Sequence, residues 1–182
     1  MSYNDLIFAF FPCIYFSAVS QMNLYFNAHN NRHYTPKQRA DKALLRSENR
    51  ERYWRLLVQM ISVAEQNGLR MIVENPWSEQ TFLKSNFIYP PTIVDNNRQQ
   101  RGDYFKKPTA YWFVNCEPTY GCSLQSSKEK KVINKIAPSG PVGVCNEERS
   151  LISPDYARNF ICDFILGKEQ NNVTQQLSLD FT

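Results

Sequence analysis

The stretch Asp5-Leu6-Ile7-Phe8-Ala9-Phe10, which ends at Phe11-Pro12-Cys13, decides how this chain folds. It is a short, continuous apolar run with aromatic and β-branched members, a pattern typical of a strand covered on both faces. Leu69-Arg70-Met71-Ile72-Val73 has the same character and is followed by Glu74-Asn75-Pro76. We therefore predict two buried strands, of which the second is closed by this polar turn.

A long helix is predicted between the two strands. Thr35 is a capping residue, Pro36 suits the first helical position, and Gln38 completes a capping box. Gly68 supplies a stop at the C-terminal end. Apolar residues recur at helical spacing in the second half of this segment; they are Tyr53, Leu57, Met60, Ile61 and Ala64.

The order strand, helix, strand predicts a right-handed crossover, which makes the two strands parallel and the fold class α/β. Because the helical segment is long, we expect a break near residues 47–49. A third strand is predicted at residues 110–114. A final helix is expected to begin at Ser153-Pro154 and to end at Gly167; its apolar stripe is Ala157, Phe160, Ile161, Phe164 and Ile165.

Composition excludes several classes of protein. The 182 residues include 6 Gly and 10 Pro, which excludes collagen-like and low-complexity chains, and the net charge of +4 is too small to indicate nucleic acid by itself. Five cysteines without a C-x-x-C pair predict neither a disulfide framework nor a zinc ribbon, and they indicate a reducing, intracellular setting.

His29 and His33 have metal-ligand spacing but no third ligand nearby, so we predict a surface loop and no metal site. The first apolar run is interrupted by Pro12, is too short to span a membrane and has no preceding cation, so we expect neither a signal peptide nor a membrane segment.

Cys13 and Glu74 are the candidates for chemistry. Cys13 follows the first predicted strand and Glu74 ends the second, and the carboxyl ends of parallel strands share one edge where ligands bind. A thiol and a carboxyl group would then face one crevice, as nucleophilic catalysis with a general acid requires. The alternatives are an inert buried cysteine and an ordinary polar turn, each of which is common on its own.

These residues resemble DNA cytosine-5 methyltransferases. The run from Asp5 to Cys13 and the segment Val73-Glu74-Asn75-Pro76 look like the Pro-Cys and Glu-Asn motifs of that family, and they are most similar to its compact phage and prophage branch. Residues 101–113 and 148–154 also look like that branch. The resemblance implies transfer of a methyl group from S-adenosylmethionine to carbon 5 of cytosine in DNA, with Cys13 as nucleophile and Glu74 as acid; the supporting residues are Pro12, Asn75 and Pro76.

The resemblance also implies that part of the family's fold is missing. In class I methyltransferases the cofactor lies on the first strands, beside a glycine-rich turn, whereas this chain has no Gly before Gly68. We therefore expect a partial class I (Rossmann-like) methyltransferase sheet over residues 1–167, which lacks the N-terminal cofactor-binding strands and most of the S-adenosylmethionine pocket. The expected partners are DNA and a separately encoded N-terminal half, in the cytoplasm of a bacterial host. The alternative is a non-catalytic DNA-binding or clamp-recruited module derived from such an enzyme.

Several cations are candidates for DNA contact. Arg98 and Arg101 lie where the family has a Gln-x-Arg-x-Arg pattern, which is matched here only loosely, and a solvated loop is the alternative. Lys106 and Lys107 are flanked by aromatic residues, an arrangement that can bind a flipped base or a displaced DNA strand. The alternative is that these aromatic rings pack in the core. Residues 37–55 contain seven basic and three acidic residues. This excess of positive charge predicts either a helix face that contacts DNA phosphates or an ordinary solvated helix face.

The last residues form a separate candidate. Gln176-Leu177-Ser178-Leu179-Asp180-Phe181 resembles the short peptide with which bacterial replication and repair proteins bind the β sliding clamp. We expect residues 168–182 to form a flexible tail that presents this peptide to an apolar groove of the clamp. Gln176 would form a hydrogen bond there, and the groove would bind the apolar side chains of Leu177, Leu179 and Phe181. A frayed terminus is the alternative.

Overall fold

Strands β1 (Leu6–Phe10) and β2 (Arg70–Pro76) pair in parallel, as predicted. In the four-stranded sheet the order is β1-β2-β4-β3, where β3 is Ile93–Asp95 and β4 is Thr109–Val114, and β4 runs antiparallel to β2. The fold is therefore mixed α/β, with an antiparallel strand beside a parallel pair. The computed structural model describes residues 5–17, 33–77, 82–121, 130–131, 134–137, 140–143, 148 and 150–167.

Helix α1 (Pro36–Gln66) connects β1 to β2 and begins as its sequence predicts. The hydroxyl of Thr35 accepts a hydrogen bond from the backbone N–H of Gln38 at 3.2 Å, and the Gln38 side chain accepts one from the N–H of Thr35 at 2.9 Å. Gly68 follows the helix with φ of 63°, a left-handed conformation that glycine adopts without steric penalty. Both ends of α1 are thus determined by local hydrogen bonding and backbone conformation.

The expected break near residues 47–49 is wrong, because α1 is one continuous helix of 31 residues. Residues 47–49 include no Pro or Gly. The Ser and Asn among them each disfavour a helix by less than about 0.7 kcal/mol relative to Ala. Beyond it, Leu57, Ile61 and Ala64 are buried and stabilise the second half of the helix. A small local penalty therefore does not interrupt a helix that is held by its cap and its packing.

The core of the first unit lies between α1 and one face of the sheet. Since successive strand residues point to opposite faces, Val73 and Asn75 face α1 while Glu74 faces the other side. The core residues contributed by the sheet are Ala9, Met71, Val73, Ala110, Trp112 and Val114.

Strand β2 is longer than its sequence suggests. Glu74-Asn75-Pro76 was expected to close the strand as a turn, but the strand continues through these residues. The reason is the antiparallel neighbour, since Asn75 lies opposite Ala110 and Pro76 lies opposite Thr109. Pro76 is the last residue of the strand, a position where the missing N–H is tolerated.

The chain divides into two compact units, which the sequence did not predict. One contains Met1–Val94 with Thr109–Glu117, and the other contains Asp95–Pro108 with Pro118–Thr182. The first includes α1 and the short helix α2 (Phe82–Asn86). The second includes the antiparallel hairpin of β5 and β6, and the helix α3; these elements are Asn134–Ala137, Gly140–Gly143 and Pro154–Ile161.

Helix α3 begins at the predicted cap, where the Ser153 hydroxyl accepts a hydrogen bond from the N–H of Tyr156 at 3.0 Å. It continues into a π-helical turn (Cys162–Leu166) and ends at Gly167, whose φ is 60°. The predicted apolar stripe is partly wrong, because Ile161 is exposed. The buried stripe instead has a spacing of four residues and consists of Tyr156, Phe160 and Phe164.

Candidate active site

The register of the parallel pair places Cys13 and Glu74 at the same end of the sheet. Glu74 lies directly beside Phe10, the last residue of β1, and Cys13 follows Phe10 by three residues. Three residues span at most about 10 Å and neighbouring strands lie about 4.8 Å apart, so the two Cα atoms are within about 15 Å. The structure therefore places the backbones of the two predicted residues, Cys13 and Glu74, at the same end of the sheet.

Glu74 is a buried carboxyl group at that edge, with a relative exposure of 7%. Its neighbours across the sheet are Phe10, which is 59% exposed, and Tyr111, which is buried. The strands thus place the carboxyl group between one ring open to solvent and one ring inside the protein. A carboxyl group in such surroundings is a candidate general acid.

Cys13 is a free, half-buried cysteine that begins a turn of 3₁₀-helix (Cys13–Tyr15). Pro12 precedes it with φ of −59°, and the carbonyl oxygen of Cys13 accepts hydrogen bonds from the N–H groups of Phe16 at 3.0 Å and Ser17 at 2.8 Å. These bonds close the backbone turn that begins at Cys13, and the residue stays partly exposed. The thiol is therefore neither enclosed nor at the opposite edge of the sheet.

The loop that carries Cys13 is attached to α1. The guanidinium group of Arg46 donates hydrogen bonds to the carbonyl oxygens of Ile14 at 3.1 Å and Ser17 at 2.9 Å. The ring of Tyr15 stacks on that of Tyr53, with their centroids 4.9 Å apart. These contacts hold the loop in one position, as a reactive thiol on a loop requires.

Asn75 is the neighbour of Glu74 on the opposite face, and it is 1% exposed. Neither its carbonyl oxygen nor its amide nitrogen has a hydrogen-bond partner in the part of the chain that the structure describes. A buried amide in this state is unusual, and an ordered water or a ligand is the usual explanation. Asn75 is therefore a polar group still available at the carboxyl end of β2.

Arg98 and Arg101 have structural roles, which corrects the prediction that they contact DNA. Arg98 is 1% exposed, forms an ion pair with the buried Asp103, and stacks at 4.4 Å over the ring of Tyr156. Arg101 pairs with two carboxylates and stacks over an aromatic ring; these partners are Asp95, Asp163 and Phe164. Neither guanidinium group is available to a phosphate in this arrangement.

The other predicted contacts are only partly described. Lys106 is exposed and Lys107 is half-buried, so their contact with DNA stays a prediction, whereas Phe105 is a core residue. The tail residues predicted to bind a sliding clamp lie outside the described residues, as does His29; these tail residues are Gln176, Leu177, Leu179 and Phe181. Among the described residues, no three metal-ligating side chains come together, and no helix is long and apolar enough to cross a membrane.

Arg46 was not among the predicted site residues, although its position in the sequence contains a signal. Arg46 precedes Leu57 by eleven residues, which is close to three helical turns, so both lie on the same face of α1. That face packs on the sheet at Leu57 and holds the Cys13 loop at Arg46. The helical spacing between a cation and the apolar stripe was therefore the available indication.

Cys116 is a second half-buried thiol, and it provides a test of the electrostatics in the first unit. Its sulfur lies 3.8 Å from the carbonyl oxygen of Met71, and burial raises the pKa of the Cys116 thiol above its ordinary value of 9.0. The folded chain therefore favours the protonated thiol, and this contribution to stability is lost as pH rises through the raised pKa. We expect alkylation of Cys116 by iodoacetamide to reach its half-maximal rate at a higher pH in the folded chain than in urea, as measured by peptide mass spectrometry. Equal midpoints in the two states would contradict this prediction.

Comparisons with known proteins add no relative. No family model matches the chain, no curated protein matches it, and no solved structure matches it.

Proposed function

We propose that this chain acts on cytosine in DNA as part of a cytosine-5 methyltransferase, with Cys13 as nucleophile and Glu74 as acid. The observation that carries the proposal is the parallel register of β1 and β2, since the half-buried Cys13 and the buried Glu74 belong to the same end of this strand pair. The resemblance of the Pro-Cys and Glu-Asn segments to that family agrees with this arrangement.

The chemistry begins with addition to the ring. The thiolate of Cys13 forms a bond to carbon 6 of cytosine, and the electrons of the ring shift towards nitrogen 3, which takes a proton from Glu74. The product is an enamine, in which carbon 5 is nucleophilic. Carbon 5 then takes a proton from solvent and gives its original hydrogen to solvent as a proton, the Cys13 thiolate is expelled, and nitrogen 3 returns its proton to Glu74. Atoms and charges balance, and the net result is exchange of the carbon-5 hydrogen.

Transfer of a methyl group requires S-adenosylmethionine, and the described residues do not fit that cofactor. The family holds it beside a glycine-rich turn that follows a strand. In the described segments, the glycines with positive φ follow helical segments instead; they are Gly68, Gly102 and Gly167. No step is therefore derived through the cofactor, and the part assigned to this chain is addition to the ring and activation of carbon 5.

Hydrogen exchange at carbon 5 tests this assignment without the cofactor. We expect the chain to release tritium from single-stranded DNA that contains [5-³H]cytosine, since a single strand avoids the free energy of extruding the base from a duplex. Cys13→Ser is expected to reduce release to the rate measured without protein, because a hydroxyl group is a far weaker nucleophile than a thiolate. Cys116→Ser, which changes another half-buried thiol of the same unit, is the matched control and is expected to retain release.

Two outcomes would overturn the catalytic assignment: no release by the native chain, or equal release by Cys13→Ser. The alternative function is then a non-catalytic DNA-binding module, which is favoured by the seven basic residues within 37–55. It predicts salt-dependent DNA binding that is the same in the native chain, in Cys13→Ala and in Glu74→Gln.

A further inference from the structure

Two buried polar groups of the first unit have no hydrogen-bond partner among the described residues. One is the side-chain amide of Asn75, and the other is the indole N–H of Trp54 in α1. They do not form a hydrogen bond with each other. In the unfolded chain both groups bind water, so folding causes a loss of hydrogen bonding unless another molecule supplies a partner.

Trp54 and Asn75 lie in the space between α1 and the sheet. Trp54 precedes Ile61 by seven residues, which is nearly two helical turns, and its ring packs against the core cluster that includes Ile61 and Val73. Asn75 follows Val73 by two residues in β2, so its side chain points to the same face of the sheet. The two unpartnered groups therefore belong to the same layer of the core.

The contacts at the end of α1 indicate how far along the sheet Trp54 lies. The side chain of Asn115 donates hydrogen bonds to the carbonyl oxygens of Ala64 at 2.7 Å and Leu69 at 3.0 Å, so the end of the helix is next to the start of β2. From there Trp54 is ten residues back along the helix, about 15 Å, and Asn75 is six residues along the strand, about 20 Å. Helical side chains tilt towards the helix N-terminus, which carries the indole towards Asn75.

The neighbours of Trp54 on α1 lead to the same position. One turn before it, the guanidinium group of Arg50 lies 4.7 Å from the centre of the Phe82 ring, and Phe82 follows the last residue of β2 by six residues. One turn after Trp54, Leu57 is fully buried in the core. Trp54 is thus at the level of the carboxyl end of β2, where Asn75 is the second-last residue.

We propose that an internal water molecule bridges the indole of Trp54 and the amide of Asn75. An indole N–H only donates a hydrogen bond, whereas an amide offers both donors and an acceptor. A water molecule accepts the hydrogen bond of the indole and donates one to the amide carbonyl oxygen, so that each group gains a partner. The adjacent core residues Leu57 and Val73 are apolar, which favours a small neutral molecule over an ion.

The bridge connects the two elements that support the candidate active site. Strand β2 carries Glu74, and α1 holds the Cys13 loop through Arg46. The water therefore adds a polar contact to the apolar packing between these two elements. The water site is independent of the proposed function, because it involves neither the thiol nor the carboxyl group.

Nuclear magnetic resonance of the full ¹⁵N-labelled chain tests this proposal, with Trp112 as the matched control. The indole N–H of Trp112 belongs to the same unit and donates a hydrogen bond to the carbonyl oxygen of Tyr89 at 2.9 Å. The readout is the cross-peak between each indole proton and water in NOESY and ROESY spectra. A bound water gives peaks of opposite sign in the two spectra, whereas exchange of the proton with solvent gives the same sign. We expect peaks of opposite sign for Trp54 and no water cross-peak for Trp112.

A pair of asparagine variants tests the other side of the bridge. Asn75→Leu replaces the amide with an apolar side chain of similar size and is expected to remove the Trp54 cross-peak, because the water loses one of its partners. Asn86→Leu changes an exposed amide of the same unit, which donates a local hydrogen bond to the carbonyl oxygen of Phe82, and it is expected to keep the cross-peak. The comparison of Trp54 with Trp112 uses the native chain, so it decides the proposal even if Asn75→Leu does not fold.

Absence of a water cross-peak at Trp54 in the native chain would overturn the proposal. A cross-peak of equal intensity at Trp112 would also overturn it, because water would then reach enclosed indoles in general. Persistence of the Trp54 cross-peak in folded Asn75→Leu would exclude Asn75 from the site. Cys13→Ser, which is expected to abolish tritium release, is expected to leave the Trp54 cross-peak unchanged, so failure of the proposed function is distinguishable from failure of the water site.

Discussion

Replacing Glu74 with glutamine is expected to slow the release of tritium from [5-³H]cytosine DNA by about 10²- to 10⁴-fold. The two side chains have nearly the same shape, so the packing of this buried position is retained. Glutamine cannot supply the proton that nitrogen 3 takes when Cys13 adds to carbon 6. The loss therefore concerns proton transfer and leaves the nucleophile in place.

Glu65→Gln is the matched control for this prediction. Glu65 belongs to the same unit, where its exposed carboxylate accepts a hydrogen bond from the hydroxyl of Tyr89 at 3.2 Å. We expect Glu65→Gln to release tritium at the native rate. If Glu74→Gln released tritium as fast as Glu65→Gln, Glu74 would not be the acid, even if Cys13 were essential.

Asp103→Ala is expected to lower the free energy of unfolding by about 3–5 kcal/mol, measured by urea denaturation. Asp103 and Arg98 form an ion pair in which both side chains are 1% exposed. Removal of the carboxylate leaves the buried guanidinium group without its countercharge, next to the ring of Tyr156. An uncompensated buried charge is among the most destabilising single changes in a protein.

The same unit supplies a matched control for the ion pair. Asp155 pairs with Arg158 on the surface, with side-chain exposures of 64% and 52%, and Asp155→Ala is expected to change stability by no more than about 1 kcal/mol. Changing both members of the buried pair, as Arg98→Met with Asp103→Ala, is expected to recover much of the loss, since no charge then remains buried. Equal effects of Asp103→Ala and Asp155→Ala would mean that the buried pair has no special importance for folding.

Sequence reasoning succeeded where the deciding interactions are local. The cap at Thr35 involves only residues 35–38, and the stop at Gly68 depends on the conformation of that residue. The parallel pairing of β1 and β2 also follows from a short-range rule, since one helix connects the two strands. The placement of Cys13 and Glu74 at one edge of the sheet is a consequence of that rule.

Sequence reasoning failed where a partner distant in the chain decides. Glu74-Asn75-Pro76 has the composition of a turn, but β4 pairs with it and keeps it in the strand. The polar segment around Arg101 is typical of a solvated loop or a DNA contact. In the structure Arg101 instead pairs with Asp163, which lies 62 residues later. A local pattern carries no information about such a partner.

The amino-acid sequence alone determined where α1 begins and ends and which strands flank it, and it placed a thiol after the first strand and a carboxyl group near the end of the second. Only the tertiary structure decided which cations are buried in ion pairs, because burial and ion pairing depend on residues brought together from distant parts of the chain. Arg98 and Arg101, for example, form ion pairs with carboxylates inside the second unit. The physical reason is that a charge is neutralised by its neighbours in space, and neighbours in space are a property of the folded chain.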